Sequence, residues 1–227
     1  MGLIVVFLAV LCIPVNAGVL EFSGISDQRL DTSDFKLAIY PTAVVNIPEV
    51  TPEGGIPVYL TGAGLREKSI VLFSVDVYYA TSYLNQKVKL NEKQPMDQIR
   101  KSSVRAIQLT LLRDLSGEKI RDSFKDALEE NGISVETPGF KKLFEQIDGE
   151  VKERTTVTIV GYTKKDGSQG ILYSLPSKTV QVEEDGIADK FWLVWFGKPA
   201  DSGLEKLKQG LMGKTALTKL PSQLLGE

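Results

Sequence analysis

The sequence predicts one α+β domain, and three observations carry that prediction. Two apolar runs, Thr155–Tyr162 and Gln169–Leu175, are joined by Lys164-Lys165-Asp166-Gly167-Ser168, and Asp-Gly between such runs marks a β-hairpin. Across Val104–Leu112, Arg105, Ile107, Leu109 and Leu111 alternate with Ala106, Gln108 and Thr110, the period of a half-buried strand. Ile120, Phe124, Ala127 and Leu128 fall at i, i+4, i+7 and i+8, the apolar stripe of an amphipathic helix.

The other elements follow in order. Phe35–Ile39 and Ala43–Ile47 are strand-like, broken by Pro41, Pro48, Pro52 and Pro57, since proline cannot donate to a central ladder. Val58–Leu60 runs into Thr61-Gly62-Ala63-Gly64, which reads as a tight turn, and Ile70–Tyr79 reads as a long strand. Ser116 is placed to cap the helix that begins there, and Asn131-Gly132 ends it. Phe140, Leu143, Phe144 and Ile147 predict a second helix, Lys178–Glu183 a further strand, and Ile187–Phe196 and Leu204–Met212 two closing helices. With no internal repeat, low-complexity tract or linker, residues 18–227 form a single domain.

Composition narrows the chemistry. The 227 residues are 42% hydrophobic and 25% charged, with 27 Lys+Arg against 29 Asp+Glu. That is too apolar and too close to neutral for a disordered chain, and it lacks the basic footprint of a nucleic-acid binder. There is no histidine, which excludes histidine bases, ligands and pH switches. The single cysteine, Cys12, excludes a disulfide framework and thiolate zinc sites. No cofactor motif is present: Gly62-Ala63-Gly64 lacks the third glycine and following helix of a dinucleotide loop. The cluster Phe191, Trp192, Trp195 and Phe196 reads as core, where aromatic side chains dominate burial.

Residues 3–13 are an apolar run followed by Pro14 and Val15-Asn16-Ala17. The run is too short to span a bilayer, which takes about 20 residues. The pattern predicts a secretory signal, residues 1–17, cleaved after Ala17, although no Lys or Arg precedes the run. The alternative is a buried N-terminal strand. The expected mature chain is exported, into the periplasm, and carries no transmembrane segment.

Leu60-Thr-Gly-Ala-Gly-Leu-Arg66 leading into Ser69–Tyr79, then Arg113-Asp114-Leu115-Ser116-Gly117 opening a helix, then Ile187-Ala-Asp-Lys190 leading to Trp195-Phe196-Gly197, together resemble the chalcone isomerase-like family, in its secreted bacterial branch. The resemblance spans roughly residues 55–215. It implies an open-faced β-sandwich, a large antiparallel sheet covered by a layer of α-helices, with a ligand cleft between them. It also implies site positions. The family's arginine, which faces an oxyanion in isomerases and a carboxylate in fatty-acid-binding relatives, falls on Arg66. Its catalytic threonine falls on Phe73, its tyrosine on Ile120, its asparagine on Ala127, and its late Thr or Ser on Val194. Four of the five are apolar here, and apolar groups cannot organise water and proton transfer. The resemblance therefore implies a protein without isomerase activity.

By the period-two rule Phe73, Val75, Val77 and Tyr79 share one strand face, with Ile120, Phe124 and Ala127 approaching from one helix and Val194 from another. Arg66 beside such a surface needs an anion, because it stays protonated and its five donors need partners. Two partners are open: a ligand carboxylate held bidentately, or a carboxylate from a covering helix, Asp76 being wrong-faced. The expected ligand is a fatty acid or similar small amphiphilic carboxylate, bound by Arg66, Phe73, Val75, Tyr79, Ile120, Phe124, Ala127 and Val194 without a cofactor or metal. An intramolecular lyase acting on an unsaturated carbonyl and an envelope accessory protein without ligand are the alternatives.

Overall fold

A computed structural model describes residues 19–23, 28–31, 36–70 and 73–219. The expected signal segment lies outside these residues, as does Phe35.

The chain begins with four short strands, β1 (Leu20–Ser23), β2 (Gln28–Asp31), β3 (Lys36–Ile39) and β4 (Thr42–Val45). Two long strands follow, β5 (Ile56–Ile70) and β6 (Phe73–Leu84). Next come α1 (Pro95–Ile99), β7 (Val104–Leu111), β8 (Leu115–Ser116), α2 (Gly117–Glu130), α3 (Pro138–Glu145) and β9 (Glu150–Val151). The chain then forms β10 (Thr156–Thr163), β11 (Gln169–Leu175), β12 (Lys178–Glu183), α4 (Ile187–Phe196), α5 (Ser202–Leu211) and β13 (Thr218–Lys219). Eight strands make one antiparallel sheet in the order β1-β4-β5-β6-β7-β10-β11-β12. The helices cover one face of it, giving the α+β fold that the sequence predicts.

Local chemistry sets the element ends. In the β10–β11 turn Gly167 adopts φ +89°, and the backbone N–H of Ser168 donates to Asp166 Oδ1 at 3.0 Å. Ser116 caps α2 by accepting from the Lys119 N–H. Past its other end, Gly132 takes φ +70°, a left-handed conformation that glycine adopts without a Cβ penalty. The Asn131 amide then ties α2 to the α4–α5 connection, donating to Lys198 O at 2.9 Å and accepting from Lys198 N at 2.7 Å.

The main core lies between sheet and helices. Trp192 and Trp195 are buried there with Phe124, Phe140 and Phe191, against Ile107, Leu109, Ile159 and Ile171. Phe191 and Trp195 meet edge to face, their centroids 5.6 Å apart, the arrangement ring quadrupoles favour. The opposite face carries a second cluster, including Val45, Val58, Tyr83, Ala106 and Val160. β7 is accordingly buried on both faces rather than half-buried.

Gly62-Ala63-Gly64 is not a turn. β5 continues through it, with Thr61 left out of the register against β6, and α5 lies almost on the strand's backbone. A Cβ on Gly62 would overlap the backbone of Gly210 and Gly213, and one on Gly210 would sit 2.8 Å from Gly64 Cα. These glycines serve close approach, which in a sequence looks the same as a turn signal.

Candidate functional site: the cleft between sheet and helices

Where β6 passes under the helices, its pairing with β5 slips. Arg66 pairs with Tyr78 and Glu67 with Asp76, so Val77 is left without a partner. Such a bulge puts two residues opposite one and reverses the side-chain alternation beyond it. Val75 and Val77 before the bulge, and Tyr78 after it, all line one cavity. Tyr79, expected on that face, instead packs with Ile39 and Ala63 on the opposite side. The period-two rule fails here because it assumes an unbroken ladder.

The cavity holds about 500 Å³, within the usual range for small-molecule sites of about 300–1,000 Å³. Val75, Val77, Leu109, Leu111 and Val157 form its floor, while Ile120 and Phe124 of α2, Val194 of α4 and Leu204 of α5 form its walls. Of the sequence-predicted residues it brings together Arg66, Val75, Ile120, Phe124 and Val194. Ala127 does not reach it, since the α2 stripe turns away and buries that methyl in the aromatic core. Phe73 begins β6, but its side chain lies outside the described residues.

Arg66 is 8% exposed and already has its anion. Nη1 donates to Asp201 Oδ1 at 3.0 Å and Nη2 to Oδ2 at 2.6 Å, a bidentate pair, and Nη1 also donates to the Glu67 carbonyl. Of the two partners open in the sequence, the structure supplies the internal one, from the covering helix α5. Asp201 also caps α5, its Oδ1 accepting from the Leu204 N–H at 2.9 Å. Burial alone would raise its carboxyl, but the Leu204 N–H, the Arg66 guanidinium and the Gly203 N–H outweigh that and hold it below the ordinary carboxylate value. The pair is also sterically fitted, since a Cβ on Gly203 would overlap both Glu67 O and Arg66 Nη1.

Beside this pair stands the Tyr78 phenol. Burial is the largest influence on it and pushes its pKa up, the nearby Arg66 charge and the Trp195 indole opposing. Tyr78 therefore stays a neutral hydroxyl on the cleft wall beside the pair. The rim carries exposed charges of both signs, Lys68, Arg113, Lys119, Asp122 and Asp126 among them.

Sequence reasoning missed Tyr78 and Asp201. The bulge that delivers Tyr78 has no sequence signature. Asp201 stands just ahead of the helix it caps, an N-cap signal in itself, but nothing local says that it meets Arg66 across 135 positions. Among the described residues no group of three or more His, Cys, Asp or Glu converges to hold a metal ion, and no helix is long and apolar enough to cross a membrane.

Residues 41–213 match the chalcone isomerase-like family, and the chain belongs to it. The fold is also that of a crystal structure of a fatty-acid binding protein from Arabidopsis thaliana, with a TM-score of 0.51 at 16% identity, covering 72% of this chain and 94% of that one. No curated protein matches the sequence.

Proposed function

We propose that this protein is a non-catalytic carrier that takes up a fatty acid or a similar amphiphilic carboxylate in the cleft between sheet and helices. The observation that carries the reading is the cleft itself, an apolar-floored cavity of about 500 Å³ with a charged rim. The likeness in fold to a fatty-acid binding protein supports it. Ile120 and Val194 on the walls stand where the resemblance puts the isomerases' tyrosine and late Thr or Ser, and neither can carry a proton, which supports binding over that reaction.

One observation favours a second reading. Arg66 is satisfied by Asp201, as a scaffold ion pair would be, and on that reading the cleft binds nothing. Mass spectrometry of the protein purified under non-denaturing conditions from its own host separates the two. Co-purified fatty acid, released on denaturation, supports the carrier. Protein free of lipid that also fails to take up added fatty acid supports the scaffold.

The reading includes export, with residues 1–17 removed and the mature chain starting at Gly18 in the periplasm. N-terminal sequencing of the native protein tests it, and a retained Met1 would contradict it.

A further inference from the structure

We propose that this protein pairs with a second copy of itself along the outer edge of β12, antiparallel and centred on Gln181, so that the two eight-stranded sheets run on as one.

β12 ends the sheet and is bonded to β11 alone. The Glu184 N–H, which donates to Gln169 O at 3.2 Å, fixes the phase of that ladder, because it lies one step beyond the pairing of Gly170 with Glu183. Bonded and non-bonded pairs alternate in an antiparallel ladder. Lys178, Val180 and Val182 therefore exchange bonds with β11, while the N–H and C=O groups of Thr179, Gln181 and Glu183 point away from it. Among the described residues nothing bonds those outward groups. The side chains of all three are exposed, whereas Val180 and Val182 are buried beneath the helices.

A row of unmet donors and acceptors is a template for another strand, and the charges choose which one. Along β12 the positive end is Lys178 and the negative end is Glu183-Glu184. A parallel copy would set lysine beside lysine and glutamate beside glutamate, which destabilises a ladder. An antiparallel copy centred on Gln181 uses every outward residue. Thr179 then faces Glu183 of the second copy and Gln181 faces Gln181, each pair exchanging two bonds. The same register sets Lys178 opposite Glu184 of the second copy, both on the helix-covered side. Glu184 accepts from the Gly139 N–H at 2.6 Å but has no ion pair among the described residues. It lines a groove between β12 and the start of α3 where Glu183 and Glu184 stand against one cation, Lys142. That groove is net acidic, and the register brings Lys178 of the second copy to it. Lys178 itself is held by Gln146 O and by Asp148, a 70% exposed partner that solvent screens.

A single introduced cysteine tests the register. The Cα atoms of a bonded antiparallel pair lie about 5.5 Å apart, inside the ~4.4–6.8 Å span of a disulfide. In a chain relieved of its one cysteine by Cys12→Ser, Gln181→Cys should cross-link into a covalent dimer on mild oxidation. Thr179→Cys should stay largely uncross-linked, because four steps of strand set the two copies of position 179 about 13 Å apart. In a second arm, sedimentation of the wild-type chain over a concentration series should show a monomer–dimer equilibrium. Gln181→Ala keeps the outward N–H and should dimerise like wild type. Gln181→Pro removes a donor that the monomer's own sheet does not use; it should melt with Gln181→Ala yet dimerise about thirtyfold more weakly, from two lost ladder bonds. A wild-type chain that stays monomeric throughout, equal cross-linking at positions 179 and 181, or dimerisation of Gln181→Pro as strong as that of Gln181→Ala would overturn the proposal. An edge that instead takes an extended segment of another protein would give the first of these outcomes.

Discussion

Replacing Asp201 by asparagine removes the charge that faces Arg66 and leaves the cap of α5 in place, because asparagine caps a helix about as well as aspartate. The loss is bounded by the two partners' burial. Arg66 is nearly enclosed, but the Asp201 side chain is 42% exposed, so solvent screens the pair. Its worth lies between the ~0.2–1 kcal/mol of an exposed pair and the ~3–5 kcal/mol lost on breaking a buried one. We expect about 1–2 kcal/mol for Asp201→Asn. Asp201→Ala also deletes the bond to the Leu204 N–H and should cost about 1 kcal/mol more. At about 2–4 °C per kcal/mol for a chain of this size, Asp201→Asn should melt roughly 3–6 °C below wild type. The pH dependence has a definite sign. The carboxyl titrates lower in the folded protein than in the unfolded chain, so the unfolded chain takes up the proton first and the pair's contribution falls as pH drops. The gap between wild type and Asp201→Asn should be constant from neutral pH down to the ordinary carboxylate range near pH 4, and close below it. Thermal melts followed by circular dichroism across pH measure both quantities. Equal melting temperatures for wild type, Asp201→Asn and Asp201→Ala at neutral pH would refute the reasoning.

Three further outcomes follow from the same structure. Gly62→Ala places a methyl against the α5 backbone, where a Cβ would overlap Gly210 O and Gly213 N, and should cost at least the ~1–3 kcal/mol of core overpacking, read as a lowered Tm. At the other end of the sheet Arg105 is fully buried, donating to Asp189 Oδ1 at 2.5 Å and to Ile99 O at 3.1 Å with its guanidinium 5.2 Å from the Trp192 ring centre. Asp189→Ala strands that charge and should lose about 3 kcal/mol, a little less if water reaches the half-buried aspartate site, while the Arg105→Met, Asp189→Leu double variant should recover much of the loss in denaturant titrations. Burial holds the Tyr78, Tyr83 and Tyr162 phenols above their ordinary value and pushes Tyr173 up to about 12; absorbance titration should therefore show these four ionising late, and a complete tyrosinate signal by pH 11 in folded protein would contradict it.

Local signals were read well where the local pattern and the tertiary structure agree. Ile187–Phe196, Gln169–Leu175 and Lys178–Glu183 appear with the expected bounds, because turn glycines and prolines flank strongly apolar runs. The helix stripe likewise brought Ile120 and Phe124 to the cleft. Four features were not legible, each for a physical reason. Gly62 and Gly64 signalled a turn, but the cause of their small size is α5, about 150 residues along the chain. The unpaired Val77 exchanged Tyr79 for Tyr78 at the cleft, and a bulge is decided by the partner strand as much as by its own residues. The need of Arg66 for an anion was legible, while the identity of that anion depended on where α5 lands. The short helix Pro95–Ile99 was missed because five residues carry too little periodicity.

The central claim is that the apolar cleft holds a hydrocarbon chain, and a calorimetric titration of the full chain with saturated fatty acids of increasing length tests it most directly. Saturable one-to-one binding is expected, strengthening with length until the cavity is filled, by about 1.6 kcal/mol, or roughly fifteenfold, for every two methylenes at ~0.8 kcal/mol each. Affinity independent of chain length, or no binding at any length, would contradict it.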